Sequence, residues 1–408
     1  MLTTARQGEL RTATRHLPDS PYSVVCVAFD RGYLDDPPTE AGLAHLFEHL
    51  WFLHSPAALT LEWGETFEDV ILLYHLCPPD ELGPVLAAVA QRLADCLDGP
   101  AAPAQRIAAA RSLITLERRG GRELRMSGFP RREIAQALRG EPGFDPTAVI
   151  SDEPGLADRV TRFAAGRPRA VCVAGPDVRL SADDLLRTLA GPADRREGSR
   201  SAGPGHLLPR TFAGAAVRGA VPGIHDGVPG VPSEVSRPVR PEGSSTCATA
   251  WIVPGSPGNA AAAWLLGVLI EHRARPGTLR WASGQVVSPR GAAPVRGGLL
   301  YAVAAGTAPA GPADDPPDLQ REVLHPALDT GPAELDAARE QLLRLRPDAA
   351  ELAAIDAVAL LGAAPAAPSC GYQDLLNAVR SAKADDLRRF AALLAASPYA
   401  EFHAGPAR

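Results

Sequence analysis

The sequence predicts an α+β protein of two structurally related halves, each an α/β sandwich whose mixed or antiparallel sheet carries helices on one face. Three observations lead there. Short apolar runs of strand length alternate with longer segments whose apolar residues recur at helical spacing. Between 191 and 244, Pro, Gly, Arg and Ser crowd together without periodicity, as linkers do. Beyond that stretch the strand-then-helix order begins again. With 408 residues there is room for two domains. The boundaries that follow are 1–190, a linker over 191–244, and a second domain over 245–408.

Taken in order, residues 22–29 form a buried strand around Val24, Val25 and Val27. Asp35, Asp36, Pro37 and Pro38 break it and lead into a short helix with Thr39 as its N-cap. Residues 70–76 are a second strand, stopped by Pro78 and Pro79. Leu82, Val85, Leu86, Val89, Leu93 and Leu97 mark a helix over 82–97, and another spans 103–119. A third strand covers 169–175, and Ser181 starts the helix that runs through 185–189. In the second half, 246–253 and 298–306 read as strands. Residues 259–272, 332–345, 349–361 and 382–395 read as helices.

The chemistry of the chain is concentrated in His45-Leu46-Phe47-Glu48-His49. At about 100° per residue, His45, Glu48 and His49 share an arc of roughly 100°. His45 and His49 stand at i and i+4, one turn apart, as two nitrogen ligands of a Zn²⁺ ion do. Glu48 lies beside them, placed to reach a water without being a ligand. This H-x-x-E-H order points to metal-assisted peptide hydrolysis. The alternative, a solvated surface helix, fits poorly with Leu43, Leu46, Phe47, Leu50, Trp51 and Phe52 around the motif.

Composition excludes several other classes. Apolar content of 46% and charged content of 22% are those of a globular domain. A net charge of −6 gives no electrostatic reason to expect nucleic acid or an anionic membrane. Lys383 is the only lysine, so nearly all positive charge is arginine. The first ten residues have no apolar core of a secretion signal, and the apolar run 260–270 is too short to span a membrane. Cys26, Cys77, Cys96, Cys172, Cys247 and Cys370 form no C-x-x-C pair. They read as reduced, buried small residues, and a cytoplasmic location is expected.

Catalytic zinc takes three protein ligands and keeps one open position, so a third group must come from elsewhere. Glu117, on the 103–119 helix, is the leading candidate. Glu65, Glu68 and Glu123 compete, and His54 and His75 are further possible donors.

Residues 42–52 resemble the insulinase/pitrilysin superfamily of zinc metallopeptidases, the inverzincins, and size and layout resemble its processing-peptidase-type branch. Members share G-x-A-H-x-x-E-H-x-x-F, then a strand, an amphipathic helix, and a helix bearing the third-ligand Glu. The order over 22–189 is similar, down to Pro176-Asp177 where the family often has Gly-Asp. The second half resembles the family only in layout. The resemblance implies His45, His49 and Glu117 as zinc ligands and Glu48 as general base.

Several positions depart from the family's pattern. Ala110 stands where the family usually has a further acid before the ligand Glu, so weaker ligand orientation is expected. Residues 55–69 are short and lack the Asn-Ala-x-Thr run that the family presents to substrate. The family's substrate-binding Arg and Tyr, seven residues apart, are matched only by Tyr301; position 294 is Pro, and Arg296 and Arg290 stand at other spacings. Tyr301 and Arg296 are the substrate-binding candidates, and the alternative is that Tyr301 is only a strand aromatic.

The expected function is a zinc-dependent endopeptidase acting on peptides or unfolded segments, including leader or precursor processing. An extended substrate is expected to add to a sheet edge, with 70–76 as the candidate. A homologous partner subunit is expected, as a heterodimer rather than a homodimer. Two other classes remain open: a catalytically weak or inactive structural subunit of a processing-peptidase-like complex, and a hydrolase of non-peptide amides.

Overall fold

The structure, a computed structural model, describes residues 2–37, 39–53, 61–67, 70–98, 102–120, 144–145, 148–150, 154–165, 168–176, 178, 180–189, 245–254, 256–273, 279–283, 299–308, 319–344, 348–362, 372–396 and 399–404. The chain divides into two compact units. The first takes residues 1–116, 143–209 and 346–372; the second takes 117–142, 210–345 and 373–408. The expected linker, 191–244, lies outside the described residues.

Among the described residues the first unit is built on a six-stranded sheet. Its strands are β1 (Leu2–Gln7), β2 (Leu10–His16), β3 (Ser23–Phe29), β4 (Leu61–Thr66), β5 (Ile71–Cys77) and β6 (Arg169–Gly175), in the order β1-β2-β6-β3-β5-β4. Only β2 and β6 run parallel, so the sheet is mixed. The helices are α1 (Leu43–Phe52), α2 (Leu82–Asp98), α3 (Ala104–Gly120), α4 (Leu156–Thr161) and α5 (Ala182–Leu189). The capping signal at Ser181 is as expected: its hydroxyl accepts from the Asp184 N–H while Asp184 accepts from the Ser181 N–H.

Every residue of β3 and β6 is buried, which requires cover on both faces of the sheet. The alternation along β2 shows what provides it. The Thr12 hydroxyl donates to the Ala182 carbonyl at the start of α5. Arg11 and Arg15 project from the other face. Arg15 makes a two-pronged pair with Asp356, at 2.7 Å for each bond. Arg11 donates to the Leu360 and Leu361 carbonyls, satisfying the end of the same helix. That helix is Ala349–Gly362, far along the chain and inside the linear range expected for the second domain. It packs on the first sheet, so one face holds helices from the first half and the other holds this one.

The edge of the sheet also differs from expectation. Strand β5 is paired on both sides, by β3 and β4, and cannot take up a further strand. The edge is β4, a strand that Glu62, Gly64 and Glu65 disguise in the sequence. The hairpin of β1 and β2 is equally hidden, since its buried positions mix Thr12, Thr14 and Arg11 with Leu10 and Ala13.

Among its described residues the second unit has four antiparallel strands, β7 (Ser245–Pro254), β8 (Leu279–Ser283), β9 (Leu299–Ala308) and β10 (Tyr399–Ala404), in the order β10-β7-β9-β8. Helices α6 (Pro257–Arg273), α7 (Leu319–Asp329), α8 (Pro332–Arg344), α10 (Tyr372–Ser381) and α11 (Ala384–Ala396) belong to it, α9 being Ala349–Gly362. Both units are therefore sheet-plus-helix assemblies, as the predicted α+β class requires, but the first sheet carries helices on both faces where helices on one face were expected. Among the described residues no helix is long and apolar enough to cross a membrane. Cys26, Cys77, Cys96 and Cys172 are free and buried, and burial raises the thiol pKa of each. Cys370 and the Cys247 side chain lie outside the described residues.

Candidate metal centre

The start of α1 is fixed by residues outside it. Gly42 has φ of +92°, and a Cβ there would lie 2.1 Å from the Ala148 carbonyl oxygen, so only glycine fits. Asp36, buried, accepts from the Gly42 N–H and the Ala44 N–H, each at 2.8 Å. This carboxylate, and not the exposed Thr39, satisfies the helix's first donors. Phe47 and Trp51 then press the helix onto β3, meeting Phe29 edge-on with ring centroids 5.1 and 5.7 Å apart.

That anchoring turns the opposite side of α1 outward, with His45 and His49 half-buried on it. Their Nε2 atoms are 3.2 Å apart. Two nitrogens bound to one tetrahedral zinc stand about 3.3 Å apart, so the pair already has the bite of a single ion. Glu117 comes from α3, where Ile107, Ala110 and Ile114 form a buried stripe that Glu117 continues by one turn. The division between the compact units falls beside Leu116, inside this continuous helix, and the preceding turns of α3 carry Glu117. His45, His49 and Glu117 each offer a donor atom within 4.8 Å of the others. The donor set of two imidazoles and one carboxylate suits a zinc ion.

Glu48, 8% exposed, sits at the strand side of the histidine pair. The Thr66 hydroxyl donates to its Oε2 at 2.5 Å. A Cβ on Gly64 would fall 2.5 Å from the Glu48 Cγ, so β4 approaches closely because that position has no side chain. Sequence reasoning missed both residues. The available signal was the spacing of Glu62, Gly64 and Thr66, which places all three on one face of a strand.

The other candidates separate cleanly. His75 uses both ring nitrogens elsewhere: Nε2 accepts from the Trp51 indole N–H at 3.1 Å, and Nδ1 meets Glu62 at 2.9 Å. Arg92 also donates to Glu62. Burial lowers the His75 pKa more than Glu62 raises it. For Glu62, burial pushes the pKa up, but the bonds from His75 and Arg92 outweigh it and leave the pKa lowered. Glu65 projects from the other side of β4 and accepts from the Tyr74 hydroxyl. His54, Glu68, Glu123, Arg290, Pro294 and Arg296 lie outside the described residues. Tyr301 is on β9, in register with Ile252, in the second unit.

No family model matches this sequence, and no curated protein does. Solved structures do. A chain of complex III from Candida albicans has a TM-score of 0.63 and 11% identity, over 97% of this chain and 94% of that one. A protease from Helicobacter pylori gives 0.62 and 12%, covering 100% and 99%. A peptidase M16 inactive domain from Pseudomonas fluorescens gives 0.62 and 14%, covering 100% and 98%. The fold is shared along essentially the whole chain with M16 peptidase-type proteins, among them a protease and an inactive domain.

Proposed function

We propose that this chain is a zinc-dependent endopeptidase that hydrolyses peptide bonds in peptides or unfolded segments, including leader or precursor processing. The observation that carries the reading is the convergence of His45, His49 and Glu117 beside a buried Glu48. The three would hold the ion. When bound, zinc supplies a Lewis acid that polarises the scissile carbonyl and brings the pKa of water towards about 7.

The rest falls to the chain's own residues. Glu48 takes a proton as the water oxygen bonds to the carbonyl carbon, and delivers it to the amine nitrogen as the C–N bond breaks. Strand β4, paired on one side only among the described residues, offers its outer backbone to an extended peptide, so affinity comes with little sequence demand. Tyr301 and Arg296 remain our candidates for holding substrate near the scissile bond. A homologous partner subunit in a heterodimer would supply that pair if this chain does not. Four buried thiols suit a reducing compartment, the cytoplasm.

A second reading is a structural subunit of a processing-peptidase-like complex. It is favoured by the fully buried Ala110 at the position of the family's supporting acid, and by likeness to an inactive domain. Zinc content and cleavage of a quenched peptide panel, measured together for wild type and Glu48→Gln, separate the two. The peptidase reading expects about one zinc per chain in both proteins and turnover in wild type alone. Absence of zinc from the wild type supports the scaffold.

A further inference from the structure

We propose that Thr66 is a positioning residue for Glu48: over the bare backbone of Gly64, its hydroxyl fixes the carboxylate in the orientation that receives the proton. This rests on the peptidase reading, in which Glu48 is the base.

A glutamate on a helix has freedom about three side-chain bonds, and a base that wanders spends little time in line with its proton. Here that freedom is removed from two sides. The Thr66 hydroxyl donates to Oε2 at 2.5 Å, the length of a charge-assisted O–H···O⁻ bond. Threonine is β-branched and stiff about its first bond, so the donor is itself rigid. Below it, a Cβ at position 64 would stand 2.5 Å from Cγ, 2.7 Å from Oε1 and 2.8 Å from the carboxyl carbon of Glu48. Any side chain there takes the space that the carboxylate fills.

The strand that carries this seat is itself pinned. Glu62, Gly64 and Thr66 share one face of β4, and Glu62 is held by His75 and Arg92 from β5 and α2. A slip of the edge strand would therefore break the Glu62 contacts as well as the Thr66 bond. Thr66 keeps its own proton throughout and touches no reacting atom. With Oε2 engaged by Thr66, Oε1 is left to exchange the proton.

The test uses the full chain loaded with zinc, a quenched peptide as substrate, and four variants: Thr66→Val, Thr66→Ser, Gly64→Ala and Glu48→Gln. Zinc content is expected to stay at wild-type level in all four. Thr66→Val, which keeps shape and loses the hydroxyl, is expected to lower kcat by about 10- to 100-fold with KM unchanged, less than the roughly 100- to 10,000-fold that a general base itself contributes. Thr66→Ser restores kcat, which a packing role would not produce. Gly64→Ala lowers kcat in the same way. Crystal structures of the metal-free wild type, Thr66→Val and Thr66→Ser give the readout independent of activity, with the carboxylate displaced only in the valine variant.

Thr66→Val with wild-type kcat and an unmoved Glu48 overturns the proposal, while an inactive Glu48→Gln leaves the peptidase reading standing. Wild-type turnover in Glu48→Gln, or no peptide cleavage by the wild type, sinks the peptidase reading. The crystal structures then decide by themselves whether Thr66 seats the carboxylate.

Discussion

The Trp51 indole N–H points at His75 Nε2 across 3.1 Å, tying the last turn of the motif helix to a central strand. Because the indole can only donate, this nitrogen of His75 must be an acceptor, and the proton sits on Nδ1, facing Glu62. The imidazole is therefore held neutral, with Glu62 and Arg92 as its charged neighbours.

Stability should fall with acid in two windows. The folded-state pKa of His75 lies below the ordinary value of about 6.5, so under that pH only the unfolded chain gains the proton. The loss starts below that value and ends at the folded pKa. Glu62, also lowered, contributes stability above its ordinary value that disappears as pH drops through its folded pKa. Urea midpoints at pH 7.5 and 5.5 check this. His75→Gln should be less stable at the higher pH and lose less between the two.

Asp36→Ala should destabilise the protein by about 1–2 kcal/mol, the usual cost of a lost helix cap, because two buried backbone donors lose their acceptor. Since those donors open the helix that carries both histidines, zinc affinity should fall by about 10-fold, as for other supporting residues. Thermal melting and chelator competition measure the two effects. Thr39→Ala should alter neither.

Glu117→Ala should weaken zinc binding by at least about 100-fold, exceeding the loss of a supporting residue. Thermal melting of the metal-free variant separates a lost ligand from a change in stability. Wild-type zinc affinity in this variant would remove Glu117 from the ligand set.

Asp356→Ala should cost on the order of 3 kcal/mol, because it leaves the Arg15 guanidinium without its two-pronged partner between sheet and helix. Replacing both residues with aliphatics should recover part of that loss. Denaturant titration of the single and double variants decides it.

What could be read from the sequence follows how strongly each residue speaks for itself. The aliphatic runs of β3 and β6 and the helical spacing of α2 were legible because burial leaves periodic marks, and the spacing of His45, Glu48 and His49 marked them as one side of a short helix. Asp36 as the cap, β4 as the edge and Thr66 as the companion of Glu48 were not. Each depends on a contact between segments whose local composition is polar, and pairing compensates that polarity only once the chain has folded. Thr39 looked like the cap because it stands just before the apolar run, whereas the working acceptor lies farther upstream and reaches in. The helix Ala349–Gly362 was visible as a helix but not as part of the first unit, since periodicity carries no address.

The Arg15–Asp356 pair joins positions 341 residues apart, and this has a consequence for how the protein is made. During synthesis the first sheet can assemble its strands early, but the face that Ala349–Gly362 covers stays bare until the ribosome has delivered that distant helix. Such long-range closure slows folding and leaves a sticky intermediate in the meantime. A fragment stopping at residue 190 would reproduce that intermediate permanently, so chaperone dependence and aggregation, rather than a soluble mini-enzyme, are what truncation should yield.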